Sequence, residues 1–390
     1  MFAEVVAEHY RSGDTIWIHD YQLMLLPGLL RQRLPGARIG FFLHIPFPSS
    51  EVFRVLPWRR QVREGLLGAD LLGFHTFAYL RHFVASLLHV SGVEADIDRV
   101  RIDGREVRLG VYPMKVDAGH LSAVAHDPEV ATRAATIRRD AGGRTILLGI
   151  DRLDYTKGIP RRLQAVERLL EHHPHLSDEI RYVQIAAPSR GEVDSYQRFK
   201  RLVEAGVGRI NGACGTLRST PVHYVQRALS EKELVALFLA ADVMLVTPLR
   251  DGMTLVAKEF VASRVDGDGV LMLSEFAGAA AELDGAIIVN PYDVDSVAAD
   301  ALDEHRRATC ANEKPAKTGR RVRRPCLGEH IHQGSQRGTT GGQGAHHGPI
   351  GSGARLGAHR DPPHPTHPPP SRLRWHAGPA GPFTGARCAG

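Results

Sequence analysis

Residues 145–163 read TILLGIDRLDYTKGIPRRL. The opening 145–150 is a short apolar run with Gly142-Gly143 before it and polar residues after it, as expected of a strand buried on both faces. Residues 151–158 form a polar loop. From 159 to 171 apolar residues return at helical spacing, with Pro160 in the first turn, where a missing N–H removes no hydrogen bond. Strand, polar loop and helix make half of a strand–helix–strand unit, and the unit recurs in both directions. Upstream, strands are predicted over 15–19, 38–44, 71–74 and 105–112, with helices over 23–33, 62–68, 78–88 and 129–140. Downstream, strands over 181–186, 222–225, 243–247, 270–273 and 286–289 alternate with helices over 192–207, 231–240 and 252–262. This alternation predicts an α/β fold with two Rossmann-like parallel sheets, each with helices on both faces, joined at Gly142-Gly143. No Gly-x-Gly-x-x-Gly and no Gly-x-x-x-x-Gly-Lys-Ser/Thr occurs, which disfavours a dehydrogenase or P-loop enzyme.

The chain has 390 residues, 43% of them hydrophobic, enough for two or three domains. No apolar run reaches membrane-spanning length, and the start, MFAEVVAE, carries acids and no basic segment, so neither a span nor a secretory signal is read and a cytoplasmic location is expected. Four cysteines (Cys214, Cys310, Cys326 and Cys388) lack the paired spacing of a zinc site or a disulfide framework.

The net charge of +6 conceals two populations. Residues 306–390 hold 14 Lys and Arg against three acids (Glu313, Glu329 and Asp361), which leaves 35 basic and 40 acidic residues in 1–305. A nucleic-acid reading therefore rests on the tail alone. Residues 306–390 also carry 15 Gly and 11 Pro, so 304–390 reads as a disordered basic Gly/Pro/His-rich tail. It can be read as a basic arm for anionic partners or as a histidine-rich metal binder. A third reading is out-of-frame translation of a GC-rich gene, favoured by the ratio of 42 Arg to seven Lys in the chain.

In parallel α/β sheets, ligands bind beyond the carboxyl ends of the strands. Polar groups gather there: Asp20 after the first strand, His44 at the end of the second, Asp151 to Gly158 in the opening motif, Ser189-Arg190-Gly191, and Arg250 to Thr254. Arg152 and Lys157 place two cations before a helix N-terminus, which suits a diphosphate. Asp251 occupies an N-cap position, and Asp251, Leu255 and Glu259 are spaced to stack along one helix face, with Glu259 in reach of a ribose. Gly252 leaves room for a ligand beside free N–H groups. Each position also has a plainer reading: Lys157 as a surface charge, Asp251 as a cap paired with Lys258, His44 as a core histidine.

The stretches WIHDYQLMLLP (17–27), GFFLHIPFPSSEVFRVLP (40–57), GLLGADLLGFHT (65–76), GIDRLDYTKGIPRRL (149–163), RDGMTLVAKEFVASR (250–264) and SEFAGAAAELDGAIIVNPYDV (274–294) resemble the trehalose-6-phosphate synthase family, glycosyltransferase family 20. The resemblance implies the glycosyltransferase B architecture, two Rossmann-like domains facing across a cleft. It also implies transfer of glucose from a nucleotide-glucose (UDP-, ADP- or GDP-glucose) to glucose 6-phosphate, with retention, without metal or cofactor. On that footing Arg152 and Lys157 bind the donor diphosphate, and Asp251 and His44 hold the donor sugar. Leu229, Gly252, Met253, Thr254, Leu255, Val256, Ala257, Lys258 and Glu259 line the nucleotide, and Asp20 and Arg190 serve the acceptor. The implied division is 1–142, acceptor side; 143–303, nucleotide-sugar side; 304–390, tail. Family members carry a further N-terminal segment with a glycine-rich loop, an Arg and a Tyr/Trp pair, so the first domain is expected to be incomplete, and a binding protein without turnover is the alternative. Thr254 stands where the family has Asn. Homo-oligomer formation stays open.

Overall fold

A computed structural model describes residues 1–188 and 194–313. The first part runs α1 (Phe2–His9), β1 (Thr15–His19), α2 (Leu26–Arg33), β2 (Arg38–Phe42), α3 (Ser50–Arg54), α4 (Arg59–Leu66), β3 (Leu71–Phe74), α5 (Phe77–Ser91), β4 (Arg99–Ile102) and β5 (Arg105–Val111). Its sheet has the order β1-β2-β3-β5-β4, parallel except for the β4–β5 hairpin. The register sets Trp17 beside Gly40, Gly40 beside Leu71 and Leu71 beside Arg108. Because side chains alternate across a strand, Ile39, Phe41, Leu72, Phe74, Val107 and Leu109 face one way, into a core shared with all five helices. The opposite face, with Trp17 and Leu71, receives none of those helices, and Trp17 is 68% exposed. The sequence pattern predicts helices on both faces of this sheet; here they occupy one.

The second part runs α6 (Ala118–Ala125), α7 (Pro128–Ala141), β6 (Thr145–Arg152), α8 (Ile159–His172), β7 (Ile180–Ala187), α9 (Asp194–Cys214), β8 (Val222–Val225), α10 (Glu231–Ala240), β9 (Val243–Val246), α11 (Leu255–Ser263), β10 (Val270–Ser274), β11 (Ile287–Val289) and α12 (Val294–Glu313). Six parallel strands in the order β11-β10-β9-β6-β7-β8 carry a core on each face. Ile146 and Leu148 point toward α6, α7, α10 and α11. Leu147 and Tyr182 point toward α8, α9 and α12. Helices α6 and α7 precede Gly142-Gly143 yet pack on this second sheet. Gly142, at φ 65°, is the left-handed C-cap of α7.

Helix α12 runs ten residues beyond 303, the end of the second domain in the sequence reading. The extension is anchored by His305, buried, with one ring nitrogen 2.8 Å from Thr145 Oγ1 and the other 3.2 Å from Glu179 Oε2. The rest of the tail, 314–390, lies outside the described residues. Among the described residues no helix is long and apolar enough to cross a membrane.

Candidate functional site

The loop after β6 is shaped by its own side chains. Asp154 caps the short 3-10 turn Tyr155–Lys157 by accepting from Thr156 N at 3.0 Å. Gly158 follows at φ 70°, and a Cβ there would fall 2.2 Å from Thr247 O, so only glycine fits between the loop and the end of β9. Helix α8 then starts with Pro160 in its first turn. Arg152 stands exposed at the start of the loop. Lys157 turns inward, its Nζ 2.6 Å from Asp251 Oδ2.

Asp251 lies in the turn between β9 and α11. Its Oδ2 also accepts from Thr254 Oγ1 at 2.6 Å, and its Oδ1 accepts from Gly252 N at 3.0 Å. Burial by itself would raise the pKa of this carboxyl. The Lys157 charge and hydrogen bond, with those from Thr254 and Gly252, outweigh burial and hold it below the usual carboxylate value. The N-cap of α11 is Thr254, in the left-handed region at φ 69°, an unfavourable place for a β-branched residue. The helix therefore begins at Leu255, and the expected stacking of Asp251 with Leu255 and Glu259 is limited to the last two. Lys258 pairs with Glu282 at 2.7 Å and donates to Met114 O at 2.8 Å, so Asp251's cation is Lys157 and not Lys258.

The first sheet contributes the opposite wall. Asp20, at φ 71°, directs Oδ1 toward His44 N at 3.2 Å. His44 Nε2 lies 2.9 Å from His19 Nδ1. Burial is the main cause that lowers the His44 pKa; Asp20 opposes it and His19 adds to it. His75, 3% exposed and packed edge-on against Phe42, has its pKa pushed down to about 4, chiefly by burial and then by His44. Backbones from the two sheets meet at Gly252, where a Cβ would lie 1.8 Å from His44 O. Around that contact Tyr79 OH donates to Asp251 O at 3.2 Å and Arg250 Nη2 to Phe47 O at 3.3 Å.

The structure thus gathers Asp20, His44, Lys157, Asp251, Gly252 and Thr254 where loops from the two sheets meet. Met253 is buried beneath the turn, its carbonyl accepting from Ala279 N at 2.8 Å. Leu255 and Val256 are half-buried at the start of α11, and Ala257 faces the core. Glu259 is half-buried, its pKa raised first by burial and then by Glu231. Leu229 lines a cavity of about 300 Å³ near Arg181 and Arg227. Arg190 lies outside the described residues. Among the described residues no cluster of three or more His, Cys, Asp or Glu could hold a metal ion. His19 ends β1 and His75 directly follows β3, so the rule that singles out His44 applies to both, although neither is among the predicted site residues. Tyr79 carries no such signal, since its contact depends on how the two sheets meet.

Residues 1–315 match the family model for glycosyltransferase family 20. The chain is 45% identical over 297 residues to alpha,alpha-trehalose-phosphate synthase [UDP-forming] A of Dictyostelium discoideum, covering 76% of this chain and 40% of that protein. It is 47% identical over 306 residues to trehalose-6-phosphate synthase of Mycobacterium avium, covering 76% and 62%. An E. coli structure described as trehalose-6-phosphate bound with UDP-2-fluoro glucose superposes with a TM-score of 0.76 at 40% identity, covering 84% of this chain and 71% of that one. A Burkholderia xenovorans alpha,alpha-trehalose-phosphate synthase (UDP-forming) in complex with glucose-6-phosphate gives 0.74 at 36% identity, covering 85% and 76%. The chain spans 40% and 62% of the length of these two curated relatives. Its two α/β sheets accord with these structural matches, and the chain belongs to glycosyltransferase family 20, the family of the trehalose-6-phosphate synthases.

Proposed function

We propose that this chain performs retaining glucosyl transfer from UDP-glucose to glucose 6-phosphate, forming α,α-trehalose 6-phosphate and releasing UDP. The observation that carries the reading is the 2.6 Å pair between Lys157 and Asp251, formed where the end of the second sheet meets His44 and Asp20 of the first. In this reading residues 143–303 hold the donor and residues 1–142, with Arg190, serve the acceptor.

The chemistry follows from charge. Breaking the bond between the glucose anomeric carbon and the β-phosphate leaves a diphosphate with added negative charge. Lys157, Arg152 and the N-terminus of α8 stand at one loop to meet it. The start of α11, at Leu255 and Val256, offers first-turn N–H groups for the nucleotide. The Asp251 carboxylate is kept ionised and already accepts from Lys157, Thr254 and Gly252, so it has acceptor capacity left for a sugar hydroxyl but is poorly placed to attack carbon. A covalent two-carboxylate scheme is not invoked. The acceptor hydroxyl bonds to the anomeric carbon on the face the phosphate leaves, and its proton passes to the departing phosphate oxygen. Catalysis then rests on positioning and on neutralising the leaving group. Both substrates are charged and membrane-impermeant, which supports a reaction in the compartment where they are made, read here as the cytoplasm.

Calorimetry with UDP and an assay for trehalose 6-phosphate test the proposal. Wild type should bind UDP and form product, and Lys157→Ala should lose about 10²–10³-fold in turnover, as when one preorganised donor is removed. A Lys157→Ala variant with undiminished UDP binding and turnover would sink the diphosphate assignment.

A further inference from the structure

Arg162 has a position at odds with its chemistry. It sits on the apolar face of α8, in line with Ile159, Leu163, Val166 and Leu169, and its side chain is 0% exposed. All three guanidinium nitrogens are engaged. Nε donates to Thr247 Oγ1 at 2.9 Å, and Nη1 donates to Asp151 Oδ2 at 2.7 Å and Gln184 Oε1 at 3.0 Å. Nη2 donates to Lys157 O at 3.2 Å. Asp151 lies on β6, Gln184 on β7 and Thr247 directly after β9, three neighbouring strands of one sheet. Gly149 makes the space: a Cβ there would meet Arg162 Nη1 at 2.5 Å and Gln184 Oε1 at 2.7 Å.

A buried ion pair seldom adds stability over an apolar replacement, because desolvation offsets most of the attraction. The surrounding Ile, Leu and Val show that this face could hold another aliphatic side chain. A guanidinium supplies what an aliphatic chain cannot: a rigid planar fork whose donors fix the directions of several acceptors together. Three of its acceptors belong to the sheet or the strand end beside it, and the fourth is the backbone carbonyl of Lys157.

We infer that Arg162 is a positioning residue of the donor site, referencing the Lys157 loop to three neighbouring strands while touching no substrate itself. This rests on the diphosphate role proposed for Lys157. Arg162→Lys keeps the charge and loses the fork. The loop should then hold Lys157 less well, and misplacement of about an ångström is costly to charge recognition.

The test is calorimetry on the full chain with two probes, UDP and uridine, alongside thermal denaturation. Arg162→Lys should raise the Kd for UDP about tenfold and leave that for uridine within about twofold, since only the diphosphate reads the loop. Gly149→Ala, whose methyl would displace the same guanidinium, should reproduce the split. Equal weakening toward both probes, or no change, would make Arg162 a packing residue and overturn the inference. So would a failure of both variants to fold. A wild-type chain that binds uridine and UDP equally would instead remove the diphosphate reading of Lys157, and this inference with it.

Discussion

The second sheet has a hydrophobic core on each face, whereas the first has one. Both are woven from the same alternation of strand and helix, and both end their parallel strands at the site. The difference lies in what supports those ends. In the second sheet the Lys157 carbonyl accepts from the buried Arg162, and helices pack on both faces of the sheet. In the first, one face leaves Trp17 68% and Tyr112 50% exposed. The site residues there are fixed by short polar contacts: Asp20 to His44, and His44 to His19. The comparison teaches that rigidity at this site comes chiefly from one side, and that the other side is held in register by a few bonds across the seam.

The strongest way to break this comparison is to truncate one large side chain on each side. Phe238→Ala, in the core beneath α10, should lower unfolding stability by about 3–5 kcal/mol. Trp17→Ala, on the bare face, should change it by no more than about 0.5 kcal/mol. Chemical denaturation of both variants decides it, and comparable losses would mean that the face around Trp17 is covered after all.

A pH series probes the first sheet separately. His75 is held neutral, with a folded pKa of about 4 against an ordinary 6.5. The unfolded chain therefore binds the proton more readily. This contribution is complete above about pH 6.5 and is lost as pH falls toward 4, a swing of about 3 kcal/mol. His75→Asn should flatten the decline in melting temperature over that window. An unchanged decline would assign the acid sensitivity elsewhere.

The seam itself is the subject of a smaller effect. Tyr79, its pKa raised by burial to about 12, keeps its proton throughout the working range and donates to Asp251 O. Tyr79→Phe should cost about 1 kcal/mol. It should also increase protease cleavage within 1–111 more than within 118–313. A uniform increase would show that the two sheets open together.

The least change is expected at Thr254. Asn tolerates the left-handed region better than a β-branched residue does, so Thr254→Asn should recover about 0.5–1 kcal/mol of backbone strain. The offsetting loss is the Thr254 hydroxyl's bond to Asp251. A lower melting temperature would mean that this bond outweighs the strain.

The α/β character and most strands were legible because apolar runs alternate with helical spacing from residue 15 to 289. What escaped was local or relational. Helices α1, α3 and α6 and strand β4 are short, and their patterns extend over too few residues to separate from chance. The bare face of the first sheet could not be read, because strand pattern reports that a side chain is apolar and not whether anything covers it. At the site, strand-end position found Asp20, His44, Lys157 and Asp251. Their pairing, Lys157 with Asp251 in place of Lys258, depends on the left-handed turn at Thr254. Arg162 did leave a trace: a charged residue at i+3 from Ile159 and i−4 from Val166 breaks the apolar stripe of its helix.

The glycine at 252 carries a consequence for how this site can vary. Its α-carbon faces His44 O, and Gly278 in turn faces Gly252 O, where a Cβ would lie 1.9 Å away. Main chain is stacked on main chain through three segments. A wall made of side chains can be enlarged or trimmed one codon at a time. A wall of bare backbone has nothing left to remove, and any addition wedges the halves apart and shifts every group on both sides at once. Substitutions that reshape this site therefore have to enter through the neighbouring side chains, while the seam stays at a fixed width.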